Sequence, residues 1–307
     1  MCLWYYKAEF NFYFINILFY ERFKYSMKSV DLHVHSTYSD GTLTPSELAI
    51  HAKHMGLSAF ALTDHDTIDG ISEAMHAGKE QGIEVIPGVE LSTSYNNKEI
   101  HIVGLFIDYN DDILKNKLNY LKNTRINRNI EMCNKFKNLG INISYEKMLE
   151  MYPDSVITRA HFADYLVKMG IIKSRTEAFE RYLGDRRPCY VPRQKIQPQE
   201  AIDMIKNAGG IAILAHPILY HLGSEQMNSL VQYLCECGLT GLEAIYSTYT
   251  MGEELSMRKL ANENNLLISG GSDYHGENKP HIEMGTGRGK LFVPYNILEH
   301  LKNAVHQ

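Results

Sequence analysis

The residues of this chain best suited to chemistry are its histidines, 14 in all, several of them close to a carboxylate. Neutral imidazole and carboxylate are common ligands of first-row divalent metals, so their spacing is informative. His33-Val34-His35 opens a run that continues to Asp40 and Gly41. On a strand, side chains two apart project to the same side, so both imidazoles can meet one ion while Asp40 follows in the loop. Thr63-Asp64-His65-Asp66 sets a histidine between two acids, whose carboxylates could fix its tautomer and orientation. Glu90 follows Pro87-Gly88-Val89, and His101 interrupts the apolar run Ile100 to Leu105. His216 ends Ile211 to Ala215, and Asp273-Tyr274-His275 comes after Gly270-Gly271, glycines that would let the chain turn sharply. Singly, each has a plain structural reading; His101, for example, can simply face solvent. Together, His33, His35, Asp40, His65, Glu90, His101, His216, Asp273 and His275 are candidate metal ligands gathered at the ends of expected strands. Parallel β/α folds build their active sites at such ends.

The elements that must position these residues alternate, β-rich runs with helical patterns, as in parallel strands joined by crossover helices. Strands are expected over Val30-His35, Ala59-Thr63, Glu84-Pro87, Ile100-Phe106, Ile211-Ala215, Gly241-Ile245 and Leu267-Gly270. Thr44, Pro45 and Glu47 read as N-cap, first helical position and capping-box acid of a helix running to Gly56. A second helix is expected over Ile71 to Gln81, ended by Gly82. Between about Asp108 and Ile196 the β-runs disappear, and helices are expected over Asp112-Leu139, Tyr145-Met151, Arg159-Met169 and Arg175-Leu183. This stretch reads as a helical cap subdomain (108-196) inserted into a β/α body made of 28-107 and 197-307. Lys115 to Lys195 holds 17 Lys+Arg against 8 Asp+Glu, a net of +9 that leaves −14 for the rest of a chain whose total is −5. Such polarity suits either a solvated basic face or a cap that attracts an anionic substrate.

Composition, 44% hydrophobic and 22% charged, fits a globular enzyme and excludes a fibrous or disordered chain. Five scattered cysteines argue against a disulfide framework and for a reducing cytoplasm. Cys235 and Cys237 fall in a helical pattern, where residues two apart diverge. Residues 1-27 are crowded with Tyr and Phe, lack a signal-peptide cleavage site and are too short in their apolar run to span a bilayer. With Met27 just before the first strand, they are expected to come from an upstream start and to lie outside the functional fold.

The HxH followed by Asp and Gly, the Asp-His-Asp, the Pro-Gly-Val-Glu and the late Asp-x-His together resemble the polymerase-and-histidinol-phosphatase (PHP) family of metal phosphoesterases, over about residues 28 to 290. That resemblance implies a distorted seven-stranded β/α barrel. It also implies one metal on His33, His35, Glu90 and Asp273, a second on Asp40, His65 and His275, and a third on Glu90, His101 and His216. STYSDGTLTPSEL, LTDHDTIDG, YLGDRRPCYVP and the stretch Thr158 to Ala163 look like the 3',5'-nucleoside bisphosphate phosphatase branch, some members of which trim RNA 5' ends. On that reading Arg159 and His161 bind or polarise substrate phosphates, and Asp40 and His65 join them as catalytic and substrate-binding groups. His51, His54, His76, His221, His281, His300 and His306 match no motif.

The expected chemistry is phosphate ester hydrolysis, in which two or three divalent ions activate water and clamp phosphoryl oxygens. Manganese is the first choice, with Fe2+ or Zn2+ as alternatives. The expected partner is a small phosphorylated nucleotide, with short RNA as a second substrate; no DNA duplex, membrane or obligate protein partner is inferred. The rival readings are a histidinol-phosphate-type phosphatase, a metal amidohydrolase, and a non-catalytic metal-binding module.

Overall fold

The computed structural model describes residues 28–153, 155–192 and 195–305, so the expectation about residues 1-27 lies outside the described residues. All seven expected strands form: β1 (Ser29–Val34), β2 (Ala59–Leu62), β3 (Glu84–Tyr95), β4 (Lys98–Leu105), β5 (Ile211–Leu214), β6 (Gly241–Tyr246) and β7 (Leu267–Gly271). An eighth, β8 (Val293–Pro294), was not foreseen; two residues carry no periodicity to read. The sheet order is β7-β6-β5-β4-β3-β2-β1-β8. Backbone bonds from Asp273 N–H to the His33 carbonyl (2.9 Å) and from His35 N–H to the Tyr274 carbonyl (3.0 Å) join the end of β7 back to β1 and nearly close a barrel, with β8 alongside β1.

The expectation of a parallel barrel needs correction at its centre. β3 pairs in parallel with β2, runs on past Pro87-Gly88, and returns antiparallel as β4, which is in turn antiparallel to β5. The turn is Asn96-Asn97, both at positive φ, the backbone that a two-residue hairpin demands and asparagine tolerates. Pro87-Gly88 therefore does not end the strand. A Cβ on Gly88 would lie 2.8 Å from the Gly104 carbonyl oxygen, so glycine there permits close strand approach. Glu90 is consequently a mid-strand residue, and His101 sits in the early half of a reversed strand.

Period-2 alternation sorts the strands into two apolar layers. Phe60, Leu62, Ile102, Leu214 and Leu242 face the helices α1 (Pro45–His54), α2 (Ile71–Gln81), α7 (Pro198–Asn207), α8 (Ser224–Glu236) and α9 (Met251–Glu263). Ala59, Ala61, Ile86, Val103, Ile213 and Ile245 form a second cluster with Leu298 and Leu301 of α10 (Tyr295–Val305). Continuing along that second face, Ile86 leads to Glu90 and Val103 to His101, so one face is apolar at one end and chemical at the other. The capping box on Thr44 and the left-handed Gly82 stop are both present.

Residues between β4 and β5 form α3 (Asp112–Asn138), α4 (Tyr145–Met151), α5 (Arg159–Lys168) and α6 (Arg175–Ala178), the last followed by a π-turn over Phe179–Leu183. They carry an apolar cluster of their own, with Phe136, Met148, Phe162, Leu166 and Leu183. Among the described residues no helix is long and apolar enough to cross a membrane.

Candidate metal centre

Glu90, fully buried, is the hub. Its Oε1 lies 2.7 Å from His101 Nδ1 and 3.0 Å from His216 Nε2, and its Oε2 lies 3.0 Å from His65 Nδ1 and 3.3 Å from both His33 Nε2 and His35 Nε2. Asp273 Oδ1 is 3.3 Å from His35 Nε2 and 3.7 Å from His33 Nε2. Asp40 Oδ1 lies 3.2 Å from His275 Nε2 and 3.8 Å from His65 Nε2. Ligand atoms of His33, His35 and Asp273 fall within 4.8 Å of one another, as do those of His35, Asp40, His65 and His275, and those of His65, Glu90 and His101. All nine sequence-expected ligands thus converge. His101 reaches the rim only because β4 is reversed, which carries its early residues to where β2 ends.

The donor set fits divalent ions. His33 Nε2 and His35 Nε2 are 3.1 Å apart, a contact at which converging lone pairs suit a shared cation. Among the described residues Asp40 Oδ1, His65 Nδ1, Glu90 Oε2 and His216 Nδ1 are buried without a well-directed hydrogen bond, for all their close neighbours, which is costly unless another ligand satisfies them. Burial should raise the Glu90 carboxyl, yet His65, His101 and His33 outweigh it and hold its pKa well below the usual range. Burial likewise pushes His101 down, but Glu90 and Glu99 reverse the effect and lift it to about 10. Three buried carboxylates this close together draw positive charge, which protons on the imidazoles or bound cations can supply.

The supporting contacts differ from the sequence reading. Asp64 was expected to orient His65; instead it accepts from Ser36 N–H (2.7 Å), Ser36 Oγ (2.6 Å) and Ser39 Oγ (2.5 Å), bracing the loop behind His35. Asp66 accepts from Ser92 N–H at 3.0 Å and meets Arg125 of α3. Tyr246 and Lys279 donate to Asp273 Oδ2 at 2.6 and 2.5 Å. Gly271 was read as freedom to turn, but its φ is not positive; a Cβ there would lie 2.5 Å from His33 N, so β1 and β7 need glycine to approach.

A cavity of about 220 Å³ opens above the cluster, with Asp40, His65 and His101 among its lining and Arg125, Arg128, Arg159 and Lys195 around it. Arg159 lies over the rings of Phe179 and Tyr190 and pairs with Glu99 at 3.3 Å. Glu99 also meets Lys195 at 2.7 Å and His101 at 3.5 Å. His161 is placed differently. It lines a neighbouring cavity of about 670 Å³ with Tyr38, Tyr152, Asp164 and Arg175, and its Nδ1 accepts from Thr158 N–H at 2.9 Å, capping α5. Burial drives its pKa down to about 4.

A near-closed β/α barrel with imidazoles and carboxylates converging at its rim defines a metal-dependent hydrolase centre. The chain belongs to the PHP domain family, whose pattern it matches over residues 31–189. It is 40% identical to a 5'-3' exoribonuclease of Haemophilus influenzae over 81% of this chain and 90% of that one. It is 32% identical to a 3',5'-nucleoside bisphosphate phosphatase of Chromobacterium violaceum over 84% and 91% of the two chains. In structure it is similar to a candidate metal-dependent phosphoesterase from Bifidobacterium adolescentis, with a TM-score of 0.79, 27% identity and coverage of 89% and 95%. The chain is a metal-dependent phosphoesterase.

Proposed function

We propose that this chain hydrolyses a phosphate monoester of a small nucleotide, converting a 3',5'-nucleoside bisphosphate to the nucleoside 5'-monophosphate and phosphate, and that it also trims the 5' ends of short RNA. The observation that carries this reading is the cationic cavity directly over the ligand cluster, with Arg159 and Lys195 beside His101. Two phosphates on one substrate call for two electropositive subsites, one at the cluster and one on the cap.

Two or three divalent ions, manganese first, would be held by His33, His35, Glu90 and Asp273, by Asp40, His65 and His275, and by Glu90, His101 and His216. When bound, such ions lower the pKa of a water nucleophile and neutralise phosphoryl charge. Asp40 and His65, at the floor of the cavity, orient the phosphate to be cleaved. Arg159 grips the phosphate that is not cleaved. His161 acts through the turn it caps, setting Thr158 and hence Arg159. Residues 108-196 serve as the cap on a barrel of 28-107 and 197-307, and the enzyme works in the cytoplasm.

The test is an assay of the manganese-loaded protein with adenosine 3',5'-bisphosphate, histidinol phosphate and a short 5'-phosphorylated RNA. Release of phosphate from the bisphosphate, with 5'-AMP as the other product, is expected to be fastest, with RNA shortening from its 5' end. Faster turnover of histidinol phosphate would overturn the nucleotide reading.

A further inference from the structure

Glu243 is a lone charge in the apolar strand β6, fully packed in the interior and on the barrel face that leads to the metal centre. Both its oxygens are engaged. His33 Nδ1 lies 2.8 Å from Oε1, and the His216 backbone N–H donates to Oε2 at 2.7 Å. These partners belong to two different ligand groups, and Glu243 itself belongs to none of the clusters that could hold an ion.

We infer that Glu243 is a positioning residue that presets two of the metal subsites at once, an inference that rests on the metal-dependent reading of the cluster. Accepting from His33 Nδ1 requires the proton on that nitrogen. In the neutral, metal-binding ring Nε2 then keeps its lone pair, directed at the space shared with His35, Glu90 and Asp273. The second bond acts on backbone. His216 has φ 30° and ψ 53°, a left-handed conformation that a side-chain-bearing residue adopts only when its surroundings hold it there. Pro217, which follows, disfavours the right-handed alternative. The N–H held by Glu243 helps fix this turn, and the turn aims the His216 ring at Glu90.

Both contacts are donors, so only a group with two acceptor oxygens satisfies them. Glutamine has one; its amide NH2 would face either His33 Nδ1–H or the His216 N–H, donor against donor. Aspartate has the same two oxygens but is a methylene shorter, so it stands further back from both donors. The site therefore demands glutamate rather than a polar residue of similar volume.

The experiment is metal titration of the full chain with Mn2+, comparing wild type with Glu243→Gln and checking each fold by circular dichroism and thermal melting. Glu243→Gln is expected to remain folded and to lose about 10- to 100-fold in affinity for ions at the His33 and His216 groups. An ion at Asp40, His65 and His275, which do not touch Glu243, is expected to stay. Equal stoichiometry and affinity in the two proteins would overturn the role of Glu243, whereas a wild type that takes up no metal would overturn the underlying reading as well. Should the variant fail to fold, nitrogen-15 NMR of the wild-type imidazoles decides the matter. A proton on His33 Nδ1 is the expected signature, and an Nδ1 without a proton would sink the proposal.

Discussion

Arg125, on the long helix α3, donates to the buried carboxylate of Asp66, in the loop that carries His65, and so ties the helical stretch to the metal centre. Their side chains are 8% and 0% exposed, so neither charge has much water to fall back on. Arg125→Ala should therefore destabilise the fold by about 3–5 kcal/mol, the cost of stranding a buried charge. The double variant Asp66→Asn with Arg125→Met should recover most of that loss. Asn keeps an acceptor for Ser92 N–H and tolerates the positive φ at position 66. Urea unfolding of both proteins checks this; a single variant within 1 kcal/mol of wild type would show that the pair is not a buried ionic contact.

Glu90 lies within 3.3 Å of five imidazoles, a position from which it can bridge ions. Glu90→Gln should cut phosphate release by orders of magnitude while leaving the circular dichroism spectrum unchanged. Chelation should abolish wild-type activity, and Mn2+ should restore it. Elemental analysis of protein purified without chelator should find two or three transition metals per chain. Near-normal turnover in Glu90→Gln would remove this residue from the site.

Arg159 stands over two aromatic rings at the cavity wall, paired with Glu99 at 3.3 Å and Asp185 at 3.4 Å. Arg159→Ala should lower kcat/KM for the bisphosphate by roughly ten- to a thousandfold and leave metal content intact. p-Nitrophenyl phosphate, which lacks a second phosphate, should suffer much less. Arg159→Lys should also be impaired, because an ammonium does not reproduce the planar fork. Equal losses on both substrates would place Arg159 at the phosphate that is cleaved.

His161 is held neutral, its pKa lowered by burial to about 4 against an ordinary 6.5. Between those values the unfolded chain takes up a proton that the folded chain refuses, so folding stability falls as pH drops from about 6.5 toward 4. The loss is at most about 1.4 kcal/mol per pH unit. Protonation would also set an N–H against the Thr158 N–H that Nδ1 now accepts. His161→Gln should lose less stability across that window at matched metal content. Parallel stability profiles for the two proteins would count against a neutral, capping His161.

The sequence alone determined the identities of the nine convergent candidate ligands, because a metal ligand must be a particular residue type and most of the motifs lie at strand ends that local periodicity reveals. It also determined where α1 begins, since Thr44, Pro45 and Glu47 act within one turn. Strand pairing was not readable: nothing local in Ile100 to Leu105 says that it runs against its neighbours, and the hairpin at Asn96-Asn97 was the one overlooked signal. Asp31 and Ser272, or His33 and Glu243, bond across more than 200 residues of chain. Glu243 carried a faint mark, a charge in an apolar strand, but its two partners exist only once β1, β5 and β6 share a barrel. Residue type is written position by position, whereas the direction of a strand and the partner of a buried charge are set by which packing leaves the fewest polar groups unsatisfied, and that is settled only by the assembled tertiary structure.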